Sequence, residues 1–155
     1  MMSYMYDQKK RSPYQSKKTE EKKEINPYKS ITIPLSQYFN DPIELYLPEK
    51  KAYKYAKDLL GAKNHQMRKV LDGIKEAKAY VDANEFALAK KTVFVLVAMS
   101  AYNAGRDPKL KRLYYFVESV INEKSIVSKK DIITLDELFT SIIAYHKQLG
   151  GNKNA

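Results

Sequence analysis

The residue types that perform most enzyme chemistry are scarce in this chain and poorly spaced for it. None of its 155 residues is cysteine, which removes disulfides, thiolate nucleophiles and cysteine zinc sites. His65 and His146 are the only imidazoles. They fall on different expected helices with no acidic neighbour at ligand spacing, so a surface or capping role suits them better than a metal site. Asp136-Glu137 is the one tempting carboxylate pair, but adjacent helical positions point about 100° apart. Placement in a first helical turn, beside the positive end of the helix dipole, accounts for both acids. Gly61, Gly73, Gly105, Gly150 and Gly151 are isolated or terminal, so no glycine-rich phosphate loop exists, and no Ser/His/Asp set accompanies them. The expectation is a protein that is not an enzyme and needs no cofactor and no metal.

The basic residues carry more information. Lys and Arg number 28 against 18 Asp and Glu, a net charge of +10. Such a balance concerns partners rather than fold, and nucleic acid is the commonest polyanion a basic protein meets. Arg68 and Lys75 are seven positions apart and so share one edge of a helix. Lys63 and Lys69 sit near the same helix's N-terminus, where free N–H groups also favour a phosphate. A second cluster, Arg106, Lys109, Lys111 and Arg112 with Tyr115 close by, follows the most apolar stretch of the chain. Brought together on one face, the two clusters form a ledge that reads phosphates without base selectivity, with Arg suited to bidentate contact.

Those clusters need elements to hold them, and the periodicity is helical throughout. Ala52, Tyr55, Ala56, Leu59 and Leu60 make one apolar stripe ending at Gly61. Asn64 is a candidate N-cap for a long second helix, in which Met67, Val70, Leu71, Ile74, Ala77 and Val81 repeat at three and four. Asn84 breaks that helix. A central helix follows from about 85 to 103, and its TVFVLVAMSA run is apolar on every side. A helix of that kind is expected to be enclosed by others, and it is too short for a bilayer, which needs about 20 apolar residues. Gly105 is expected to end it in the left-handed conformation, presenting Arg106 at its tip. Asp107-Pro108 then caps and opens a fourth helix. Thr134 and Glu137 read as the capping box of a last one, which stops at Gly150-Gly151.

The fold class is therefore all-α, a compact bundle of about five helices over residues 36–152, preceded by a flexible arm over 1–35. The arm carries Lys9, Lys10, Arg11, Lys17, Lys18, Lys22, Lys23 and Lys29, with Tyr4, Tyr6, Tyr14 and Tyr28 between them. Without apolar periodicity it cannot offset its ordering entropy and reads as disordered. Neither a signal peptide nor a transmembrane run nor a lipidation motif is recognisable, so a cytoplasmic protein with no membrane contact is the default.

Three segments in order, KNHQMRKVL, SAYNAGR and SIIAYHKQLGG, resemble the small subunit of the type III-A CRISPR–Cas effector, the Csm complex. That family typically shows Ser/Thr-x-Gln/Lys-Leu-Arg at the start of its second helix, matched here by Gln66, Met67 and Arg68, with Asn64-His65 in place of the usual cap. Its central helix typically ends in Tyr-x-Ala-Gly/Ala-Arg, matched by Tyr102, Ala104, Gly105 and Arg106. Its last helix is matched by Ile142, Ile143, Ala144, Tyr145, Lys147, Gly150 and Gly151, although Thr140-Ser141 stands where Glu-Ala is common. The likeness runs from about 38 to 153 and says nothing of the arm. It implies a non-catalytic helical subunit for antiviral defence, present in several copies, that holds guide (CRISPR) RNA and target RNA beside backbone and large subunits. The implied RNA-binding residues are Lys63, Gln66, Arg68, Lys69, Lys75, Arg106, Lys109 and Arg112. Two other readings remain: a helical scaffolding or adaptor protein binding acidic protein partners, and a basic DNA-binding helical domain. Groove readers line one exposed helix face with Arg, Asn and Gln, whereas the exposed second-helix positions here mix Asp72, Glu76 and Asp82 with lysines.

Overall fold

A computed structural model describes residues 25–150; 1–24, most of the expected arm, and 151–155 lie outside the described residues. Among the described residues there is no strand, and five helices of eight residues or more form the bundle. These are α3 (Lys51–Asp58), α4 (Asn64–Asp82), α5 (Phe86–Arg106), α6 (Lys111–Val120) and α7 (Lys129–Gln148), preceded by two short turns of helix, α1 (Leu35–Tyr38) and α2 (Pro42–Tyr46). The all-α expectation holds.

The helix at the centre is α7, not α5. It packs against α1, α2, α3 and α4, and half of its positions are buried, among them Asp131, Thr134, Asp136, Ser141 and His146. The sequence disguised this helix because its buried face is studded with polar groups. Each of the charged ones has been given partners. Asp131 Oδ1 accepts from the Ser36 N–H at 2.9 Å and its hydroxyl at 2.8 Å, and Oδ2 accepts from the N–H groups of Val127 and Ser128, both at 2.9 Å. Burial pushes the Asp131 carboxyl up, but these donors outweigh it and hold the group below the usual carboxylate range. Ser128 and Asp131 also form the capping box of α7. The helix thus starts at Lys129, ahead of the Thr134/Glu137 box expected from sequence, which places Asp136 and Glu137 in its second turn and beyond.

Helix α5 lies instead at the edge of the bundle, packed on α4 and α6. Only Ala89, Val93, Ser100 and Ala104 are buried along it, whereas Leu88, Val95, Met99 and Tyr102 are 43–60% exposed. The expected enclosure of this helix is therefore wrong: its small residues let one side lie close to its neighbours while the other side faces outward. The approach is tight at Gly73 of α4, where an added Cβ would stand 2.4 Å from Leu96 Cδ2. Gly105 is an interior helical residue, and α5 runs on through Arg106 to an extended Asp107. Asp107 does cap the Pro108–Leu110 turn of 3₁₀ helix, accepting from the Lys109 N–H at 3.0 Å.

Residues 26–35 belong to the bundle as well. Ile31 and Leu35 are buried in the core, their N–H groups donate to the Ser119 and Ser125 carbonyls at 2.9 Å, and the Tyr28 ring stacks edge-on to Tyr55 and Phe116. Single anchors tied by backbone hydrogen bonds leave no period for a sequence reading to find.

Candidate nucleic-acid interface

The start of α4 is held by the last turns of α7. Lys63, extended and without a side-chain cap bond, occupies the N-cap position expected of Asn64. Asn64 is the first helical residue, and its Oδ1 lies 3.0 Å from His146 Nδ1. His146 is 1% exposed, and its Nε2 is 3.0 Å from the carbonyls of both Leu59 and Ala62. This histidine serves the backbone of the α3–α4 connection, which fixes where Lys63 enters the helix.

Beside that entry, a hollow is lined by Gly61, Lys63, His65, Gln66, Asp107, Lys109 and Leu110. A second hollow, which shares Lys109, is bordered by Pro27, Pro108, Lys111, Arg112 and Tyr115. Lys63, Gln66, Lys109 and Arg112 therefore follow one another across one end of the bundle, with Asp107 the acid among them. Burial and the Asp58 carboxylate push the Tyr28 phenol up to about 12, against the pull of the Arg112 guanidinium. Arg106 is exposed, with its guanidinium carbon 5.6 Å from the Tyr102 ring centroid.

Lys69 and Gln66 line a cleft of about 270 Å³ between α4, α5 and α6. Its apolar lining is Val70, Leu96, Met99, Leu110 and Leu113, and Ser100, Asn103 and Tyr114 add polar groups. Ser100 and Asn103 lie within the SAYNAGR segment and Tyr114 on the apolar face of the fourth helix, but no spacing rule joined them, because a cleft made by three helices has no linear signature.

Arg68 and Lys75 belong to another flank. At about 100° per residue these two stand nearly in line, while Lys69 lies about 100° and Gln66 about 160° round the helix from Arg68. Lys75 Nζ is 2.8 Å from Asp136 Oδ1 of α7, so its charge neutralises a buried carboxylate. Of the eight expected residues, then, Lys63, Gln66, Lys69, Lys109 and Arg112 border connected hollows and Arg106 stands at the adjoining helix end. Arg68 and Lys75 do not border them.

A family model, Csm2 Type III-A, matches residues 44–152. The chain belongs to that family. It is accordingly a subunit of the type III-A CRISPR–Cas effector, the Csm complex, from a structural small-subunit family. Neither the curated proteins nor the solved structures give a significant match. Among the described residues no His/Asp/Glu cluster could hold a metal ion, and no helix is long and apolar enough to cross a membrane.

Proposed function

We propose that the chain is a non-catalytic, cytoplasmic RNA-binding subunit that holds guide and target RNA through sequence-independent phosphate contacts. Further copies of itself and the backbone and large subunits of the complex complete the assembly. The observation that carries this reading is the run of Lys63, Gln66, Lys109 and Arg112 across connected hollows at one end of the bundle. Phosphates repeat along a strand regardless of sequence, so a row of cations on a rigid support tracks the backbone, while base pairing between the two RNAs carries the sequence information. Lys69 and Arg106 extend the row. Lys75 is engaged by Asp136, and Arg68 meets a strand only where the nucleic acid bends round α4.

The test pits RNA against an acidic protein surface. Labelled single-stranded RNAs of different sequence should bind within about threefold of one another, because backbone contacts and stacking are sequence-tolerant. Unlabelled RNA should displace them, and polyglutamate of equal charge should not. Displacement by polyglutamate as efficient as by RNA would favour the adaptor reading instead.

A further inference from the structure

The cleft between α4, α5 and α6 has a composition that simple phosphate tracking does not need. From it we infer that this subunit takes one unpaired nucleobase out of the RNA strand; the inference rests on the RNA-binding reading above. Its 270 Å³ falls just below the roughly 300–1,000 Å³ of clefts that enclose whole small molecules. That is room for one flat ring system, with ribose and phosphate left outside.

The walls suit such a ring. Tyr114 offers an aromatic face, held in place by its hydroxyl, which donates to Glu118 Oε2 at 2.5 Å. Leu96 and Met99 supply apolar surface on the same face of α5 as Ser100 and Asn103. Gln66 and Asn103 contribute amides, which both donate and accept as a base edge requires. Ser100 is only 8% exposed and lines the cleft together with the partly exposed Asn103. A hydroxyl and an amide lining a concave site can both donate to and accept from a base edge. Lys69 at the lip is placed for the phosphate that follows the base. The cleft opens on the same end of the bundle as the cation row, because Gln66 and Leu110 border both. Aromatic stacking, amide edges and an adjacent cation together are the combination that holds single-stranded bases.

The test compares a twelve-nucleotide oligouridylate with an abasic RNA of the same length and charge, using the full chain. Wild type should bind the base-containing strand about tenfold more tightly, in the range that stacking of one base supplies. Ser100→Leu, which fills the cleft, should erase that ratio and leave abasic affinity unchanged. Asn103→Ala, at a partly exposed position outside the cation row, should lower the ratio about threefold at unchanged abasic affinity and guards against misfolding of the first variant. A ratio near one in wild type, or a ratio that both variants preserve, overturns the cleft assignment. Preserved ratios with weakened assembly of the Csm subunits would overturn it too, in favour of a protein side chain in the cleft. If the abasic strand fails to bind at low salt, the phosphate reading itself has failed; if it binds with normal salt dependence and a ratio of one, only the cleft has.

Discussion

Replacing Asp131 with alanine should be the most damaging single change of a charged residue in this bundle. The side chain is fully buried, and it accepts from Ser36, Val127 and Ser128, five contacts in all counting the two serine hydroxyls. Loss of the cap on α7 costs about 1 kcal/mol. Leaving the half-buried Ser36 N–H without its charged acceptor costs about 2–3 kcal/mol more, whereas the exposed Val127 N–H can turn to water. A total near 3–4 kcal/mol should lower Tm by about 10–20 °C for a domain of this size, followed by circular dichroism at pH 7. Asp131→Asn keeps one acceptor and turns an NH₂ toward the other donors, so it should fall between. The pH dependence follows from the sign of the shift. A carboxyl held low in the folded state contributes stability above its unfolded-state pKa, and that contribution disappears as pH falls through the folded value. The gap between wild type and Asp131→Ala should therefore narrow below about pH 4. A variant melting within about 2 °C of wild type, or a gap unchanged from pH 7 to pH 3, would refute the assignment of Asp131 as the cap and strut joining α1 to α7.

Three further outcomes follow from the same contacts. Lys75→Ala should cost about 2–4 kcal/mol by stranding the buried Asp136 carboxylate, against less than about 0.5 kcal/mol for Lys78→Ala in the exposed pair with Asp82; urea denaturation compares them, and Lys75→Ala should leave RNA affinity at low salt close to wild type. His146→Leu should cost about 2–4 kcal/mol through the unpaired Leu59 and Ala62 carbonyls, and hydrogen exchange should quicken across residues 59–67. Gly73→Ala gains about 1 kcal/mol of helix propensity but meets Leu96 at 2.4 Å, so calorimetry should show it neutral to about 2 kcal/mol destabilised, with Gly73→Val clearly worse.

Helix number and type were legible because apolar stripes at three and four spacing and one all-apolar run mark the helices, and Asp107-Pro108 and Asn84 punctuate them. Asn84, at φ 61°, breaks the α4–α5 hairpin as its type suggests. What the sequence concealed is which helix is enclosed. TVFVLVAMSA looks more buried than KKDIITLDELFTSII, yet the second is the centre, since Asp131, Asp136 and His146 are satisfied by residues far off in sequence. The candidate site was half legible. Lys63, Lys109 and Arg112 were visible as cations at helix ends, but the separation of Arg68 and Lys75 from them depends on Asp136, and the cleft depends on where α4 and α5 cross at Gly73.

The slope of log K against log salt for single-stranded RNA, in wild type and in the Lys63→Ala, Lys109→Ala, Arg112→Ala triple variant, tests the phosphate-tracking account most directly. Each phosphate contact contributes about −0.7 to that slope. Removal of three cations from one row should therefore flatten it by about 2 while leaving the circular dichroism spectrum and Tm unchanged. Parallel lines for the two proteins would contradict the account.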